Sequence, residues 1–197
     1  MTIRPARYRF RRLAPADLPL VERWRAMPHV VEYWGDPALE PEAEKHSDPR
    51  IAMWIVEHAG RPFAFAQDYD VHGWGRHPFA HLPPGSRGID QYIGEPGMLD
   101  LGHGTAFVAA HVRRLFQAGA PAVGTDPHPD NGRARRAYAK AGFVEVGGPV
   151  DTPWGRANRP LAARRRSSLP EIPRSSQRPT HGAESCTLCN NDSLSCV

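Results

Sequence analysis

The chain has 197 residues, of which 40% are hydrophobic and 23% charged, and its formal net charge is +4. This composition fits one globular domain with an extra segment and excludes a fibrous or wholly disordered chain. No apolar run reaches the roughly 18 residues that a membrane-spanning helix needs, and the N-terminus "MTIRPARYRF" lacks the apolar core of a signal peptide. We therefore expect a cytoplasmic protein without a membrane partner.

Charge and cysteine usage exclude two further classes. Part of the mild cationic excess lies near the C-terminus, in Arg164–Arg166, and the rest of the chain shows no basic stripe interleaved with aromatic residues. We therefore expect no nucleic-acid partner. The three cysteines, Cys186, Cys189 and Cys196, all lie in the C-terminal segment, so disulfides do not hold the fold.

The N-terminal part predicts a strand followed by a helix. Apolar and polar residues alternate over residues 8–13, as in a half-buried strand. Leu18, Val21 and Trp24 then recur at helical spacing. The segment "HVVEYWGDP" is expected to end this region in a turn.

A hairpin, a third strand and a second helix follow. Ile51–Glu57 and Phe63–Val71 flank the turn "HAGRP" and predict the hairpin. The polar loop "HGWGRHPFAHLPPG" separates it from the strand "RGIDQYIG". Apolar residues line one side of Thr105–Ala118, which predicts an amphipathic helix.

The last predicted elements are the strand "AVGTD", the helix "GRARRAYAKAGF" and the strand "FVEVGG". The whole order is then strand, helix, three antiparallel strands, helix, strand, helix, strand. An antiparallel sheet that gains a parallel βα unit halfway is a mixed layer of the α/β (α+β) class. We therefore predict a mixed, mainly antiparallel central sheet flanked by helices.

The stretch "LDLGHGT" (Leu99–Thr105) places two glycines between a strand and a helix. Backbone N–H groups at a helix N-terminus lack intrahelical partners and attract anions, and glycine lets a phosphate approach closely. A Rossmann fingerprint would need a third glycine where Phe107 stands. This stretch alone is compatible with a phosphate cradle or a plain turn. Asp100 adds a negative charge there, and we expect its side chain to point to solvent.

A second motif, "NGRARRAYAKAGF" (residues 131–143), follows the short strand "AVGTD". Asn131 precedes the predicted helix, where its side chain caps the helix or binds a ligand amide. Tyr138 and Gly142-Phe143 follow within the same motif. A glycine turn, a helix, a strand and these residues in this order form a combination that is more specific than any one part.

This combination resembles the GNAT superfamily of N-acetyltransferases, which bind acetyl-CoA. Gly102-His103-Gly104 matches the cofactor turn of that superfamily, and Asn131, Tyr138 and Gly142-Phe143 match the segment after it. The segments "YWGD", "AQDY" and "RGIDQ" resemble the aminoglycoside 6'-N-acetyltransferases more closely. The resemblance covers roughly residues 8–155. It implies a GNAT-like fold with acetyl-CoA in the cleft where two strands splay apart.

The resemblance also implies two catalytic residues. Asp90, on the strand before the glycine turn, takes a proton from the acceptor amine or holds that amine. Tyr138 protonates or stabilises the leaving thiolate. The residues assigned to acetyl-CoA binding are Leu101, Gly102, His103, Gly104, Thr105, Asn131 and Arg136.

The acceptor pocket should be acidic if the acceptor is a polyamine sugar. The resemblance assigns acceptor binding to Trp34, Asp36, Gln67, Tyr69, Asp90, Gln91 and Asp126. Asp68 and Asp70 are further acidic residues in the same region. Trp34 and Tyr69 are suited to stacking on a sugar face. Each of these residues also fits a packing or surface role.

The implied function is direct transfer of the acetyl group of acetyl-CoA to a primary amine of a small polycationic molecule. The 6'-amine of an aminoglycoside is the expected acceptor, and the enzyme is expected to be a monomer or a homodimer. Two alternatives stay open. One is N-acetylation of a siderophore-type hydroxylamine or another small amine, and the other is a non-catalytic acyl-CoA-binding or degenerate GNAT domain.

The C-terminal segment departs from the resembling enzymes. We assign residues 1–158 to an acetyltransferase domain and expect residues 159–197, rich in serine, arginine and proline, to be disordered. The superfamily ends in an apolar strand where this chain has the polar "RANRPLAARRRSSLP". Either the last strand is very short or a shifted reading frame has replaced it, which the nucleotide sequence would decide. Trp154 also stands where some of those enzymes carry an aspartate.

Two groups of possible metal ligands are weak. His72, His77 and His81 share one loop at a spacing that matches no rigid zinc scaffold. The pair Cys186-x-x-Cys189 has no second cysteine pair near it. We therefore expect no metal site.

Overall fold

The computed structural model describes residues 8–35, 46–75, 77–146, 150–152, 155–157 and 161–164. All of them lie in one compact unit, Met1–Arg166. Their strands form a seven-stranded sheet and a separate two-stranded ribbon. Among these residues, no helix is both long and apolar enough to cross a membrane.

The large sheet is mixed and mainly antiparallel. Its strands are β1 (Tyr8–Arg12), β2 (Ile51–His58), β3 (Arg61–Asp70), β4 (Arg87–Ile93), β5 (Ala122–Thr125), β6 (Val144–Glu145) and β9 (Leu161–Arg164), and the ribbon consists of β7 (Val150–Thr152) and β8 (Gly155–Ala157). The order across the sheet is β1-β2-β3-β4-β5-β9-β6. Its neighbouring strands are antiparallel except for β4 and β5, which run parallel. The predicted fold class is thereby confirmed.

Four α-helices cover the sheet in the described part of the chain. They are α1 (Leu18–Arg25), α2 (Pro28–Trp34), α3 (His103–Gln117) and α4 (Gly132–Lys140), with 3₁₀ turns at Pro15–Asp17 and Pro96–Met98. Helices α1, α3 and α4 lie in segments that the sequence analysis predicts to be helical. Helix α2 lies in a segment expected to be a turn.

Local signals explain α2 after the fact. Pro28 occupies its first turn, where a missing N–H costs nothing. Gly35 ends it at φ 89°, a conformation that glycine adopts without strain. Its seven residues are too few for a clear periodicity, and its stability comes from packing Val30 into the core.

The sheet separates the two larger of three hydrophobic clusters among the described residues. Under α3 and α4, Phe107, Val112 and Leu115 belong to one buried cluster with Val56 and Ile89. Under α1 and α2, a second cluster includes Trp24, Ile55 and Phe65. Side chains alternate between the two faces along each strand, which places the neighbours Ile55 and Val56 in different cores.

The last strand of the sheet is short and present. Strand β9 lies between β5 and β6, with Leu161, Ala162 and Ala163 buried. The domain therefore extends past the predicted boundary at residue 158. Three small or apolar residues are enough to fill this position, although the arginines and prolines around them hide the pattern. Trp154 and residues 165–197 lie outside the described residues, so disorder and a shifted frame stay predictions.

Candidate active site

A cleft opens where β4 and β5 separate. The two strands pair at Arg87 with Val123 and at Gly88 with Gly124, and then diverge. The space between their C-terminal ends has a volume of about 1040 Å³ and is lined by α2, β3, β4, α3 and α4. Carboxyl ends of parallel strands at a break in a sheet are a common place for ligands.

Beyond Gly88, the edge of β4 that faces this cleft is no longer paired with β5. Gly94 and Glu95 both donate to Phe63 O on β3, at 2.8 and 3.1 Å, which is a β-bulge at the end of "IDQYIGEP". Because backbone groups alternate along a strand, the N–H groups of Gln91 and Ile93 face the opposite edge. His29 supports this direction, since its Nε2 donates across the cleft to Ile93 O at 2.9 Å.

The N-terminus of α3 points into the cleft. Gly102 is its N-cap in the left-handed conformation (φ 82°) and has no side chain to cap the first amides. The backbone N–H groups of His103, Gly104 and Thr105 come too early in the helix for an intrahelical acceptor. Gly102, Gly104 and Thr105 line the cleft. These amides and the positive end of the helix dipole form a site suited to a phosphate.

Asp100, next to this cradle, has an unusual backbone. Its φ is 58°, one of the few left-handed non-glycine positions, and aspartate tolerates this conformation better than most residues. Its side chain is 74% exposed and lies 3.6 Å from Arg133 on α4. This exposure agrees with the expected orientation toward solvent, although Asp100 also borders the cleft. The ion pair offsets part of the charge.

Two residues assigned to the cofactor do not place side chains in the cleft. Leu101 is 66% exposed and is not among the residues that line it. His103 turns away, because its Nδ1 lies 2.8 Å from the Tyr8 hydroxyl and its ring packs against His58 and Phe63. Any contact of these two residues with a cofactor would therefore run through their backbone groups.

Helix α4 supplies the wall opposite the N-terminus of α3. Asn131 is its N-cap and accepts the Ala134 N–H at Oδ1, 2.9 Å away, which leaves its Nδ2 for a ligand. Capping and ligand binding are thus compatible at this position. Arg133, Arg136 and Lys140 follow on the cleft side and give this end positive charge.

Tyr138 projects from α4 to the junction between β4 and β5. Burial raises the pKa of Tyr138 to about 12, although the neighbouring side chains of Thr125 and Gln91 act in the opposite direction. Its ring packs edge-on against Phe143 at 5.2 Å. The hydroxyl is therefore protonated at neutral pH and lines the cleft as a potential proton donor.

Asp90 lies on the face of β4 that points away from α3 and α4. Gln67 Nε2 donates to its Oδ2 at 2.8 Å, and the Tyr69 hydroxyl also hydrogen-bonds to it. Burial, together with Asp90 and Asp126, raises the pKa of Tyr69 well above its usual value. Tyr69 is therefore a neutral donor that holds the carboxylate in place. The predicted residues Gln67, Tyr69 and Asp90 thus form one connected group in the cleft.

The end of the cleft between α2 and β4 is acidic. Asp90 and Asp126 line it together with Glu32 of α2. Trp34 also lines it, but its ring is half-buried and packs edge-on against Tyr92 at 4.8 Å. Asp36 lies outside the described residues. The cleft therefore has a cationic end at α4 and an anionic end between α2 and β4.

Three predicted residues have a different environment from the one expected. Asp68 is buried under α3 and does not line the cleft, because strand alternation sends it to the opposite face from Gln67. Asp70 accepts the His72 N–H in the adjoining loop. Gln91 lines the cleft, but its side chain contacts His111 and Tyr138 on the face opposite Asp90.

Sequence reasoning missed several cleft residues. Glu32 and Tyr33 come from the unpredicted helix α2. The segment "YWGD" includes Tyr33, but no pattern pointed to Glu32. Trp74 and His77 come from the glycine- and proline-rich loop, where their rings stack at 6.2 Å. The aromatic content of that loop was a usable signal, since polar loops rarely keep a tryptophan without a packing or binding reason.

The three histidines of this loop contact backbone groups of the loop itself. His72 Nε2 contacts Ala80 O, His77 Nδ1 accepts the Phe79 N–H, and His81 Nδ1 contacts Pro78 O. Within the part of the chain that the structure describes, no group of three His, Cys, Asp or Glu side chains is placed to hold a metal ion. The C-terminal cysteines lie outside that part.

Comparison with known proteins agrees with this geometry. A family model described as an acetyltransferase (GNAT) domain matches residues 14–150. The chain is 36% identical over 152 residues to an aminoglycoside N(6')-acetyltransferase type 1 of Klebsiella pneumoniae, covering 72% of this chain and 75% of that protein. It is also 48% identical over 75 residues to a kanamycin resistance protein of Rhizobium radiobacter, covering 38% of this chain and 68% of that protein.

Solved structures give the same relationship. AAC(6')-Ib in complex with coenzyme A and kanamycin superposes with a TM-score of 0.72 at 33% identity, covering 81% of this chain and 95% of that one. The same enzyme in complex with paromomycin and acetyl-CoA gives a TM-score of 0.71 at 31% identity, covering 83% and 98%. The resemblance found in the sequence is thereby confirmed, and the chain belongs to the GNAT acetyltransferase domain family.

Proposed function

We propose that this enzyme transfers the acetyl group of acetyl-CoA directly to the 6'-amine of an aminoglycoside. The observation that carries the proposal is the polarity of the cleft. Uncapped helix amides and the cations of α4 lie at one end, and the carboxylates of Asp90 and Asp126 lie at the other. A phosphate-bearing donor and a polycationic acceptor then meet at the break between β4 and β5. The relative of Klebsiella pneumoniae is named an aminoglycoside N(6')-acetyltransferase, and the relative of Rhizobium radiobacter is named a kanamycin resistance protein.

The donor end binds through backbone groups and flanking charges. The amides of Gly102, Gly104 and Thr105 hold the pyrophosphate, with the amide of Leu101 as a further candidate, and Arg136 adds charge. Asn131 Nδ2 donates to the pantetheine arm. Acetyl-CoA supplies an activated acyl group bonded to sulfur. The N–H groups of Gln91 and Ile93 on the exposed edge of β4 are donors for the thioester carbonyl oxygen.

Asp90 acts at the acceptor amine. An amine attacks only when it is neutral, so a proton must leave it before or during bond formation. Asp90 takes that proton, while Gln67 and Tyr69 fix its orientation. Asp126 and Glu32 attract the other ammonium groups of the acceptor. Trp34 at the same end offers an aromatic edge to a sugar ring.

Tyr138 acts at the sulfur. As the new C–N bond forms, the C–S bond breaks and the sulfur takes up negative charge. The phenol of Tyr138 donates its proton there, and the proton that left the amine restores the balance through solvent. A tyrosine whose pKa is about 12 stays protonated at neutral pH, so the donor form is always present.

The enzyme is expected to act in the cytoplasm as a monomer or homodimer, without nucleic acid. The test is release of free thiol from acetyl-CoA with kanamycin, a matched aminoglycoside bearing a 6'-hydroxyl, polyamines and hydroxylysine. Turnover with kanamycin and none with the 6'-hydroxyl compound supports the proposal. Turnover confined to hydroxylysine that is hydroxylated on its side-chain nitrogen would support N-acetylation of a hydroxylamine instead. Acetyl-CoA binding without turnover on any amine would assign a non-catalytic acyl-CoA-binding domain.

A further inference from the structure

A buried polar cluster under α3 has no part in the chemistry described so far. Asp68 accepts Trp54 Nε1 and Arg87 Nη2, each at 2.7 Å, and lies 3.3 Å from Arg114 Nη2. The His111 Nε2 is 3.4 Å from Asp68 Oδ2, and the His111 side chain is fully buried. Burying an ion cluster costs stability compared with an apolar packing, so such a cluster invites a specific explanation.

The surroundings of His111 decide its protonation state. Asp68 is an acceptor only, so the nitrogen that faces it, Nε2, carries the hydrogen. Burial lowers the pKa of His111, and the cations of Arg114 and Arg87 act in the same direction against the opposing effect of Asp68. The ring is therefore neutral, with its hydrogen on Nε2. The other nitrogen, Nδ1, is left as a hydrogen-bond acceptor.

The next side chain in the cluster is Gln91. Its Oε1 stands 3.3 Å from His111 Nδ1, which sets two acceptors against each other, while its Nε2 is buried without a hydrogen-bond partner among the described residues. The two ends of an amide have the same shape and are assigned by their partners. Turning the amide over removes both faults. Gln91 Nε2 then donates to His111 Nδ1, and Oε1 accepts the hydrogen of the Tyr138 hydroxyl. In this orientation Gln91 favours the protonated form of Tyr138 and no longer opposes the effect of burial on its pKa.

We propose that Asp68 and His111 are positioning residues that fix the side-chain amide of Gln91, and that Gln91 in turn holds the hydroxyl of Tyr138 where it meets the sulfur. This proposal rests on the acid role of Tyr138 given above. The hydrogen bonds run from Tyr138 to Gln91, from Gln91 to His111 and from His111 to Asp68. When negative charge grows on the sulfur, a charged acceptor displaces the neutral Gln91 oxygen for the same proton.

A double-mutant cycle tests this series of hydrogen bonds. His111→Leu should lower kcat about tenfold, the effect of one lost hydrogen bond, with KM for both substrates within about twofold. In a Tyr138→Phe background the same change should alter kcat less than about twofold, because its effect passes through the missing hydroxyl. Gln91→Leu should behave in the same way. Val112→Ala, a buried neighbour on α3, is the control that weakens packing while leaving kcat unchanged.

If His111→Leu has the same effect in both backgrounds, His111 has a purely structural role. That result would overturn the proposed series of hydrogen bonds and leave the acid role of Tyr138 intact. An undiminished kcat in Tyr138→Phe would overturn the acid role of Tyr138, and the proposed hydrogen-bond series would fall with it. The ring of His111 gives a second readout that needs no turnover. The ¹⁵N shifts of His111 should show hydrogen on Nε2 and an acceptor at Nδ1, with the Nδ1 shift moving in Gln91→Leu. Hydrogen on Nδ1 would contradict the proposal.

Discussion

The ring of Tyr69 lies flat over Gly88, its direct partner across the β3–β4 pair. A Cβ atom on Gly88 would fall 2.1 Å from Tyr69 Cε2 and 2.7 Å from its hydroxyl oxygen. Only glycine leaves room for the ring in this position. From there the hydroxyl reaches Asp90, two residues along β4 from Gly88. The glycine of "RGIDQ" is therefore needed so that the Tyr69 ring can reach Asp90.

Gly88→Ala should damage acceptor chemistry selectively. The added methyl forces the Tyr69 ring out of place and removes its hydrogen bond to Asp90. We expect kcat/KM for kanamycin to fall at least about tenfold, with a stability loss of about 1–3 kcal/mol from overpacking. Affinity for coenzyme A, measured by calorimetry, should not change, since the cradle lies at the other end of the cleft.

A matched glycine supplies the control for that variant. A Cβ on Gly97 meets no atom of the described residues within 4 Å, so Gly97→Ala should leave both stability and kcat/KM near wild type. Unchanged kcat/KM in Gly88→Ala would mean that Tyr69 does not orient Asp90.

Asp90→Asn keeps the size of the side chain and an acceptor oxygen for Gln67 while removing the carboxylate. Loss of a general base costs typically about 10²–10⁴ in rate, so kcat/KM for kanamycin should fall within that range. Coenzyme A affinity should be preserved. Glu22→Gln, an exposed carboxylate on α1, is the matched control. A loss confined to KM would assign Asp90 to holding the amine and leave the base to a water molecule.

Sequence reasoning selected residues that lie in the cleft where a signal was local, and the roles assigned to them stay predictions. The glycine turn, Asn131, Tyr138 and the strand with Asp90 lie in the cleft, because their positions follow from chain order in a family with one topology. The placement of Asp68 could have been predicted from the alternation of side chains along β3, but that information was not used. Gln67 and Asp68 are adjacent, yet one reaches the cleft and the other a buried cluster on the opposite face. Helix α2 was missed because seven residues are too few for a periodic pattern. A very short last strand was one of two alternatives, and the four residues of β9 are too few for a pattern that would have chosen between them.

Tyr138 predicts an alkaline limit to stability. Its pKa is raised from 10.0 to about 12 in the folded state, so the folded protein holds this proton more tightly than the unfolded chain. The associated stability is complete below pH 10 and is lost as the pH rises toward 12. Above pH 10, the free energy of unfolding of the wild type should fall about 1.4 kcal/mol per pH unit more steeply than that of Tyr138→Phe. Parallel slopes in paired urea titrations would contradict this.

Asp68 predicts the complementary acid effect. Burial alone would raise the pKa of Asp68, but His111 and Arg87 bring it down from 3.8 to about 2. The stability it contributes is present above pH 3.8 and is lost as the pH falls through 2. The stability difference between wild type and Asp68→Asn should therefore shrink by about 2 kcal/mol between pH 5 and pH 2. A constant difference would show that the carboxylate is not tied to its cations.

Asp100→Gly should tighten coenzyme A binding. Glycine adopts the left-handed conformation of this position freely, and the change removes a carboxylate beside the amides of α3 while releasing Arg133 from its ion pair. Because Asp100 is exposed and screened by solvent, we expect Kd to fall only about threefold, and less at high salt. Asp100→Asn separates the two causes, since it removes the charge and still tolerates the backbone conformation. Most of the gain should appear in Asp100→Asn, whereas Asp100→Gly should add stability without further affinity. Weaker binding in both variants would place the pyrophosphate away from Gly102–Thr105.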